Sequence, residues 1–383
     1  MTNSVNGSPI ITDDPTSKKA ATLRIIKLAV AVAISAFLWL APQTMFGIPN
    51  LSIVEQRVIA IFVFGALMWI MEAIPAWTTS VLLMVLLLFT VSDSGLWFAV
   101  KDVGERPLGP LVSYKSILGS FADPIIILFL GGFILAIATS KTGIDVTLAK
   151  AMLKPFGKRS DIVLLGFILV TAVFSMFVSN TATAAMMLTF LAPVLSTLPE
   201  GGKGKVALAL AIPIGANIGG MGTPIGTPPN AIALKYLNDP AGLNMNIGFG
   251  EWVMFMLPLA LIILFIAWLV LRKMFPFSKK TIELEISGQA QKGWKTTVVY
   301  ITFAITVLMW MTDKLTGVNS NVVAMLPIAV FCCSGIITKK DLEQVNWSVL
   351  WMVAGGFALG DAMNKTGLMT HMIEAIPFNQ WSP

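Results

Sequence analysis

Charge is scarce in this chain. Only 12% of its 383 residues are Asp, Glu, Lys or Arg, while 56% are hydrophobic. Ordinary soluble domains carry about 25% charge, and single cores stop growing at about 250–300 residues. A soluble fold could not hide so much apolar surface, so lipid must solvate part of it. Histidine occurs once, at His371, which removes His-based metal clusters. It also leaves an intramembrane serine protease built on Ser179 with only one remote base and no oxyanion motif. The two cysteines, Cys332 and Cys333, are adjacent. They offer neither a disulfide framework nor metal-ligand spacing, and they read as buried small hydrophobes. Residues 1–20 are polar and lack a signal-peptide pattern. The first apolar run has no cleavage site and reads as a retained transmembrane helix.

What the chain does have is apolar runs of about 17–20 residues, the length that crosses a bilayer core. Leu28–Phe46, Val58–Ile74, Trp252–Leu271 and Thr296–Met311 are clear cases. The net charge of +6 finds its explanation in topology, with no call for nucleic acid. With the N-terminus in the cytoplasm, 19 of the 26 basic residues fall on inside segments, as the positive-inside rule demands. That count requires residues 161–198 to enter and leave on one side, as a re-entrant hairpin or two full crossings.

The chain also repeats. Gly131-Gly132-Phe133, Leu135, Ala138 and Lys141-Thr142-Gly143 reappear as Gly355-Gly356-Phe357, Leu359, Ala362 and Lys365-Thr366-Gly367, eight identities in 13 ungapped positions. Met68-Trp69 and Met309-Trp310 form an upstream pair, and the polar insertion near 93–113 absorbs the difference in spacing. The expected organisation is a polar cytoplasmic tail (1–20), a first membrane half (21–271), a cytoplasmic linker (272–295) and a second repeat (296–383). On the assigned topology the repeats are inverted, a signature of alternating-access transporters.

Two stretches cannot be regular helix. Ser175-Met176-Phe177-Val178-Ser179-Asn180-Thr181-Ala182-Thr183 sits between the apolar arms of the hairpin. Gly219-Gly220-Met221-Gly222-Thr223-Pro224-Ile225-Gly226-Thr227-Pro228-Pro229-Asn230 interrupts the helix expected over 206–236. Three prolines and four glycines in the first eleven of those residues break a helix. Broken backbone at membrane depth survives only inside protein or around a wet cavity. Freed carbonyls suit a hard cation such as sodium, and a restarting helix presents N–H groups to an anion. No Lys or Arg lies between Asp161 and Leu198 or between Val206 and Asn230. The anion would then be held by amides, hydroxyls and a bound cation. The blander reading has Ser and Thr bonding back to the preceding turn and glycines serving close helix packing. It has to explain both stretches together inside a repeat.

At these residues the chain resembles the divalent anion–sodium symporter family, which contains the INDY-type dicarboxylate and citrate carriers. The resemblance runs from about residue 50 and includes Met71-Glu72-Ala73-Ile74-Pro75, Phe121-Ala122-Asp123-Pro124, Leu130-Gly131-Gly132-Phe133, Ser179-Asn180-Thr181 and Gly226-Thr227-Pro228-Pro229-Asn230. It implies an all-α polytopic membrane protein, an inverted-repeat transporter of elevator type with re-entrant hairpins and broken helices. It further implies Ser175, Ser179, Asn180 and Gly226 as sodium ligands, and Ser179, Asn180, Thr181 and Thr227 as substrate contacts. A homodimer in the cell membrane is implied too, with no resident cofactor and sodium as coupling ion. The leading expectation is sodium-coupled symport of succinate, malate or fumarate; a sodium-independent exchanger or a citrate or sulfate carrier of the same fold is the alternative. A pore-only channel fits the closed, proline-broken tips less well.

Three further residues have structural expectations. Glu72 falls at a helix end before Pro75, Asp123-Pro124 reads as a helix N-terminus, and His371 reads as a surface or packing residue. Ser179 follows Gly143 by 36 residues. A second tip is expected at the same distance past Gly367, beyond Pro383, so the chain reads as truncated at its C-terminus.

Overall fold

The computed structural model describes residues 18–101, 106–240, 243–282 and 291–375. Most of the expected tail, the middle of the expected linker, part of the 93–113 insertion and residues after 375 lie outside them. The described residues are mostly helical, with no β-strand among them. The longer helices are α1 (Lys18–Leu40), α2 (Ile53–Met71), α3 (Ala76–Thr90), α4 (Pro124–Thr142), α5 (Ile144–Leu153), α6 (Ser160–Ser175), α7 (Asn180–Ser196), α8 (Lys203–Gly219), α9 (Pro228–Leu237), α10 (Phe249–Met274), α11 (Trp294–Met311), α12 (Met325–Cys333), α13 (Trp347–Lys365) and α14 (Leu368–Ala375). Among the described residues, six helical stretches are long and apolar enough to cross a membrane: α1, α2, α4 with the short helix and 3₁₀ turn before it, α8 with the turn after it, α10 and α11. This is an all-α polytopic membrane protein. The apolar side chains that remain exposed, such as Phe37, Leu40, Phe255 and Ile262, are what a lipid-facing surface requires.

The chain forms two compact units, residues 1–121 with 351–383, and residues 122–350. In the first, α1 and α2 cap each other's C-terminal ends. The Gln56 amide donates to the carbonyls of Leu38, Trp39 and Ala41 at 2.8, 3.1 and 2.9 Å, and Lys27 Nζ donates to Met71 O at 2.7 Å. Each bond satisfies carbonyls that a helix end leaves open. Ser52 and Glu55 close a capping box at the start of α2.

The sequence repeat is a structural repeat. The two Gly-Gly motifs lie on α4 and α13, each 19 residues long. Each helix ends at a left-handed glycine, Gly143 at φ 69° and Gly367 at φ 84°, the C-terminal stop that only glycine takes at low cost. A short helix, α5 or α14, follows each. Packing crosses between the repeats. A Cβ on Gly131 would lie 2.5 Å from Ala324 O, next to α12, and a Cβ on Gly355 would lie 2.4 Å from Ser80 Cβ on α3. The helix of one repeat thus packs on a helix drawn from the other half of the chain. The compact units accordingly cut across the two halves.

The second unit is centred on α5 to α8 and α10, around Phe167, Leu191, Leu208 and Leu264. Chain following α10 folds back on the start of α6. Ser160 N donates to Lys280 O at 3.1 Å and Ile282 N to Lys158 O at 2.8 Å, and Ile282 is buried in the same core. Part of the expected linker is therefore docked. Lys141, of the repeat motif, donates to Asp341 Oδ2 at 2.6 Å and to Ile336 O at 2.9 Å. Burial opposes the Asp341 charge, but hydrogen bonds from Lys141 and Thr338 outweigh it and hold the carboxyl at about 2, below its usual 3.8.

Cys332 and Cys333 correct the sequence reading: both are exposed. Successive helical residues point about 100° apart, and on α12 the buried direction is taken by Pro327 and Phe331.

Candidate functional site

Residues 160–237 form two interrupted helices. The arms α6 and α7 have 16 and 17 residues, spanning about 24 and 26 Å at 1.5 Å per residue, short of the roughly 30 Å hydrocarbon core. They meet at a tip, residues 176–179. The second interrupted helix is α8, a 3₁₀ turn at Gly220–Gly222, an extended loop and then α9. Thr227 is extended (φ −151°, ψ 143°) and Pro228 opens α9, where proline's missing N–H costs nothing.

The tip and loop belong to one tightly packed corner of the second unit. A Cβ on Gly219 would lie 2.3 Å from Ala172 Cα, one on Gly220 2.7 Å from Asn180 Oδ1, and one on Gly226 2.4 Å from Gly220 O. These glycines have ordinary negative φ, so they are needed for close approach and not for a left-handed turn. Thr223 latches the two pieces. Its hydroxyl donates to Met176 O on the tip and accepts from Gly226 N at 3.1 Å. The Asn230 amide donates to Gly220 O and Thr223 O, both at 2.8 Å, which fixes the course of the loop.

Ser175, fully buried, is the centre of the corner. Its hydroxyl oxygen lies 2.8 Å from Asn180 Oδ1 and 2.7 Å from Ala216 O. Both neighbours are acceptors, and a hydroxyl has one proton to give. One of the two contacts must therefore set lone pair against lone pair. The Asn180 Nδ2 end is occupied elsewhere, donating to Asn217 Oδ1 at 3.0 Å, so Asn180 cannot relieve the conflict by turning alone. Ser179 caps α7, its hydroxyl accepting from Ala182 N at 3.4 Å. The corner also gathers helix ends. α6 and α8 end here and α7 and α9 begin here, giving two partly negative and two partly positive termini. No Asp, Glu, Lys or Arg occurs in 162–199 or 206–234. The arrangement can hold a cation among surplus oxygens and an anion at the neighbouring helix starts without a charged side chain.

The structure thus brings Ser175, Asn180 and Gly226 together, with Ser179 and Thr227 on the rims of the same corner. Ser179, Asn180 and Thr227 are partly exposed and Thr181 is exposed, leaving their polar groups accessible. Sequence reasoning missed Ala216, Asn217, Thr223 and Asn230. Asn217 carried a signal, a lone amide in the last turn of an apolar helix, but nothing in the sequence says what it faces. The Thr183 hydroxyl, one turn into α7, is buried without a hydrogen-bond partner.

Other singled-out residues lie elsewhere. Asp123 caps α4, its Oδ1 accepting from Ile125 N at 3.0 Å, and its Oδ2 pairs with Lys235 at 2.6 Å. Glu72 is the left-handed C-cap of α2 (φ 48°). His371 Nδ1 stands 2.7 Å from the buried Glu55 carboxylate.

Residues 66–382 match the family described as citrate transporter. Among curated relatives, an uncharacterized transporter of Schizosaccharomyces pombe is 31% identical over 322 residues, covering 82% of this chain and 35% of its own length. The inorganic phosphate transporter PHO87 of Saccharomyces cerevisiae is 29% identical over 326 residues, covering 84% and 34%. The sodium-dependent dicarboxylate transporter SdcS of Staphylococcus saprophyticus is 28% identical over 382 residues, covering 91% and 70%. The chain thus spans about a third of the yeast relatives and 70% of the staphylococcal one. A profile match over most of the length, with glycines and prolines standing where the two helices break, has one reading: the chain belongs to the citrate transporter family.

Proposed function

We propose that this protein is a secondary transporter that moves small dicarboxylates, of the succinate, malate and fumarate class, together with sodium. The observation that carries the proposal is the oxygen-rich corner at Ser175, where two acceptors, Asn180 Oδ1 and Ala216 O, share one hydroxyl proton. A cation placed there removes the lone-pair conflict, and sodium suits a shell of hydroxyl, amide and carbonyl oxygens. The ligands proposed are Ser175, Ser179, Asn180 and the Gly226 carbonyl. Loading the cation adds a positive charge beside the starts of α7 and α9. A carboxylate can then be held by the first N–H groups of α7 and by the hydroxyls of Ser179, Thr181 and Thr227, with the Asn180 amide at the boundary; α9, which opens on Pro228 and Pro229 and so lacks its first N–H groups, adds only the positive end of its dipole. Cation and anion thus favour each other's binding, which is what coupling requires. Support for sodium and dicarboxylate comes from SdcS, a sodium-dependent dicarboxylate transporter by name. The proposal includes a re-entrant hairpin at 161–198, a cytoplasmic N-terminus in the cell membrane, and a homodimer.

The test is uptake of labelled succinate into proteoliposomes with an inward sodium gradient. Replacing sodium by choline should abolish uptake, and collapsing a pH gradient should leave it unchanged. Uptake that follows the pH gradient would refute sodium coupling, and counterflow without sodium would establish an exchanger. A second reading, inorganic phosphate as the anion, is favoured by the similarity to PHO87. Excess phosphate, citrate and sulfate as competitors decide between them: on the leading reading fumarate and malate compete and phosphate does not.

A further inference from the structure

We infer that Asn217 is a positioning residue for the cation: it sets which end of the Asn180 amide faces the ion. This rests on the cation site proposed above and assigns a role to a residue outside its ligand set.

An Asn side chain has a donor end and an acceptor end of nearly the same shape. Only the acceptor end can bind a cation. Little on the tip itself decides between them, because Ser175 Oγ, 2.8 Å from Asn180 Oδ1, can either donate or accept. If the Asn180 Nδ2 turned toward Ser175, the hydroxyl would accept from it and donate to Ala216 O, 2.7 Å away. Every group would then be satisfied, and the corner would be a closed neutral network with no reason to take an ion. What opposes this turn is the bond from Asn180 Nδ2 to Asn217 Oδ1, 3.0 Å long, which survives only if the Asn217 amide turns as well. It holds the donor end toward α8 and leaves Oδ1 against Ser175, next to Gly220, whose missing Cβ would stand 2.7 Å from it. Asn217 thus keeps the corner short of protons and ready for a cation. Its position suits a residue that acts only on orientation. It lies in the last turn of α8, is itself exposed, and is carried by the helix whose Ala216 carbonyl already borders the corner. Alanine at this position removes the acceptor at an exposed helical site, where its propensity is the better one, so the fold is left intact.

The experiment is a sodium titration of the purified chain in detergent, read as the rise in thermal unfolding midpoint, with choline holding ionic strength constant. Asn217→Ala should raise the half-saturating sodium concentration about five- to tenfold, the net worth of one hydrogen bond, with the midpoint in choline unchanged. Asn217→Asp offers only acceptors, holds the Asn180 amide the same way round, and should half-saturate at or below the wild-type concentration. Orientation is isolated by repeating Asn217→Ala in an Asn180→Asp background, where both ends of the side chain are oxygen. There the further loss should be under twofold. A wild-type titration for Asn217→Ala, equal losses in Asn217→Ala and Asn217→Asp, or the same loss in both backgrounds would overturn the inference. If the unsubstituted chain gains nothing from sodium over choline, the cation reading itself fails and this one goes with it.

Discussion

Gly226→Ala puts one carbon atom where the structure has no room. The added Cβ would lie 2.4 Å from Gly220 O, 2.9 Å from Gly220 Cα and 3.0 Å from Gly220 C. All three are backbone atoms, so no side chain can swing away. An ordinary carbon–oxygen contact needs about 3.3 Å, so the loop and the 3₁₀ turn must separate by roughly 0.9 Å. Overpacking of this kind typically costs about 1–3 kcal/mol. The Asn230 amide and the Thr223 latch bind both pieces, so the displacement has to stretch them and move the Gly226 carbonyl, a proposed sodium ligand. The expected outcome is a thermal midpoint lowered by several degrees and loss of sodium-driven succinate uptake. Gly119→Ala is the matched control. Gly119 also has negative φ, but nothing lies within 4 Å of its added Cβ, so alanine there should be neutral or slightly stabilising. Chain entropy changes alike in the two variants, and only the packing differs. A Gly226→Ala protein with the midpoint and uptake of the Gly119→Ala protein would refute the reasoning.

Asn180→Ala removes a proposed ligand shared by cation and anion and should cut sodium affinity about 5–150-fold, equivalent to about 1–3 kcal/mol; full uptake at low sodium would show that Asn180 is not a ligand. Gly131→Ala should destabilise through its 2.5 Å clash with Ala324 O, whereas Gly132→Ala meets nothing closer than the far end of Ile225 at 3.3 Å and should be tolerated. Equal midpoints for those neighbours would contradict the crossed packing of the repeats. Asp341→Asn should lower stability by about 1 kcal/mol at neutral pH. The folded carboxyl sits at about 2 against an ordinary 3.8, so the charged form stabilises the fold. That contribution is present above 3.8 and is lost as the pH falls from there through about 2. The difference between Asp341→Asn and the parent chain, followed by thermal unfolding against pH, should close over that window; a difference that persists unchanged at pH 2 would exclude the mechanism.

Much of this protein was legible in its residues because the deciding physics is local. Apolar runs such as Trp252–Leu271 announce spans through their length alone. Asp123-Pro124 announces a helix start, and Pro224, Pro228 and Pro229 among four glycines announce a break, because each acts on the backbone beside it. The repeat was legible too, since Gly131-Gly132-Phe133 and Gly355-Gly356-Phe357 need only be compared. The unpartnered decisions were the long-range ones. No local rule says that Ser175 meets the carbonyl of Ala216, 41 residues on, or that Asn217 takes the donor end of Asn180, 37 residues away. None says that Gly355 packs on Ser80 and not on its own repeat, or that Cys332 and Cys333 turn outward while Phe331 turns in. Sequence determined where the helices run and where they must break. Tertiary structure decided which oxygens the breaks bring together, because a hydrogen bond or a 2.4 Å exclusion depends on distances between segments that only packing sets.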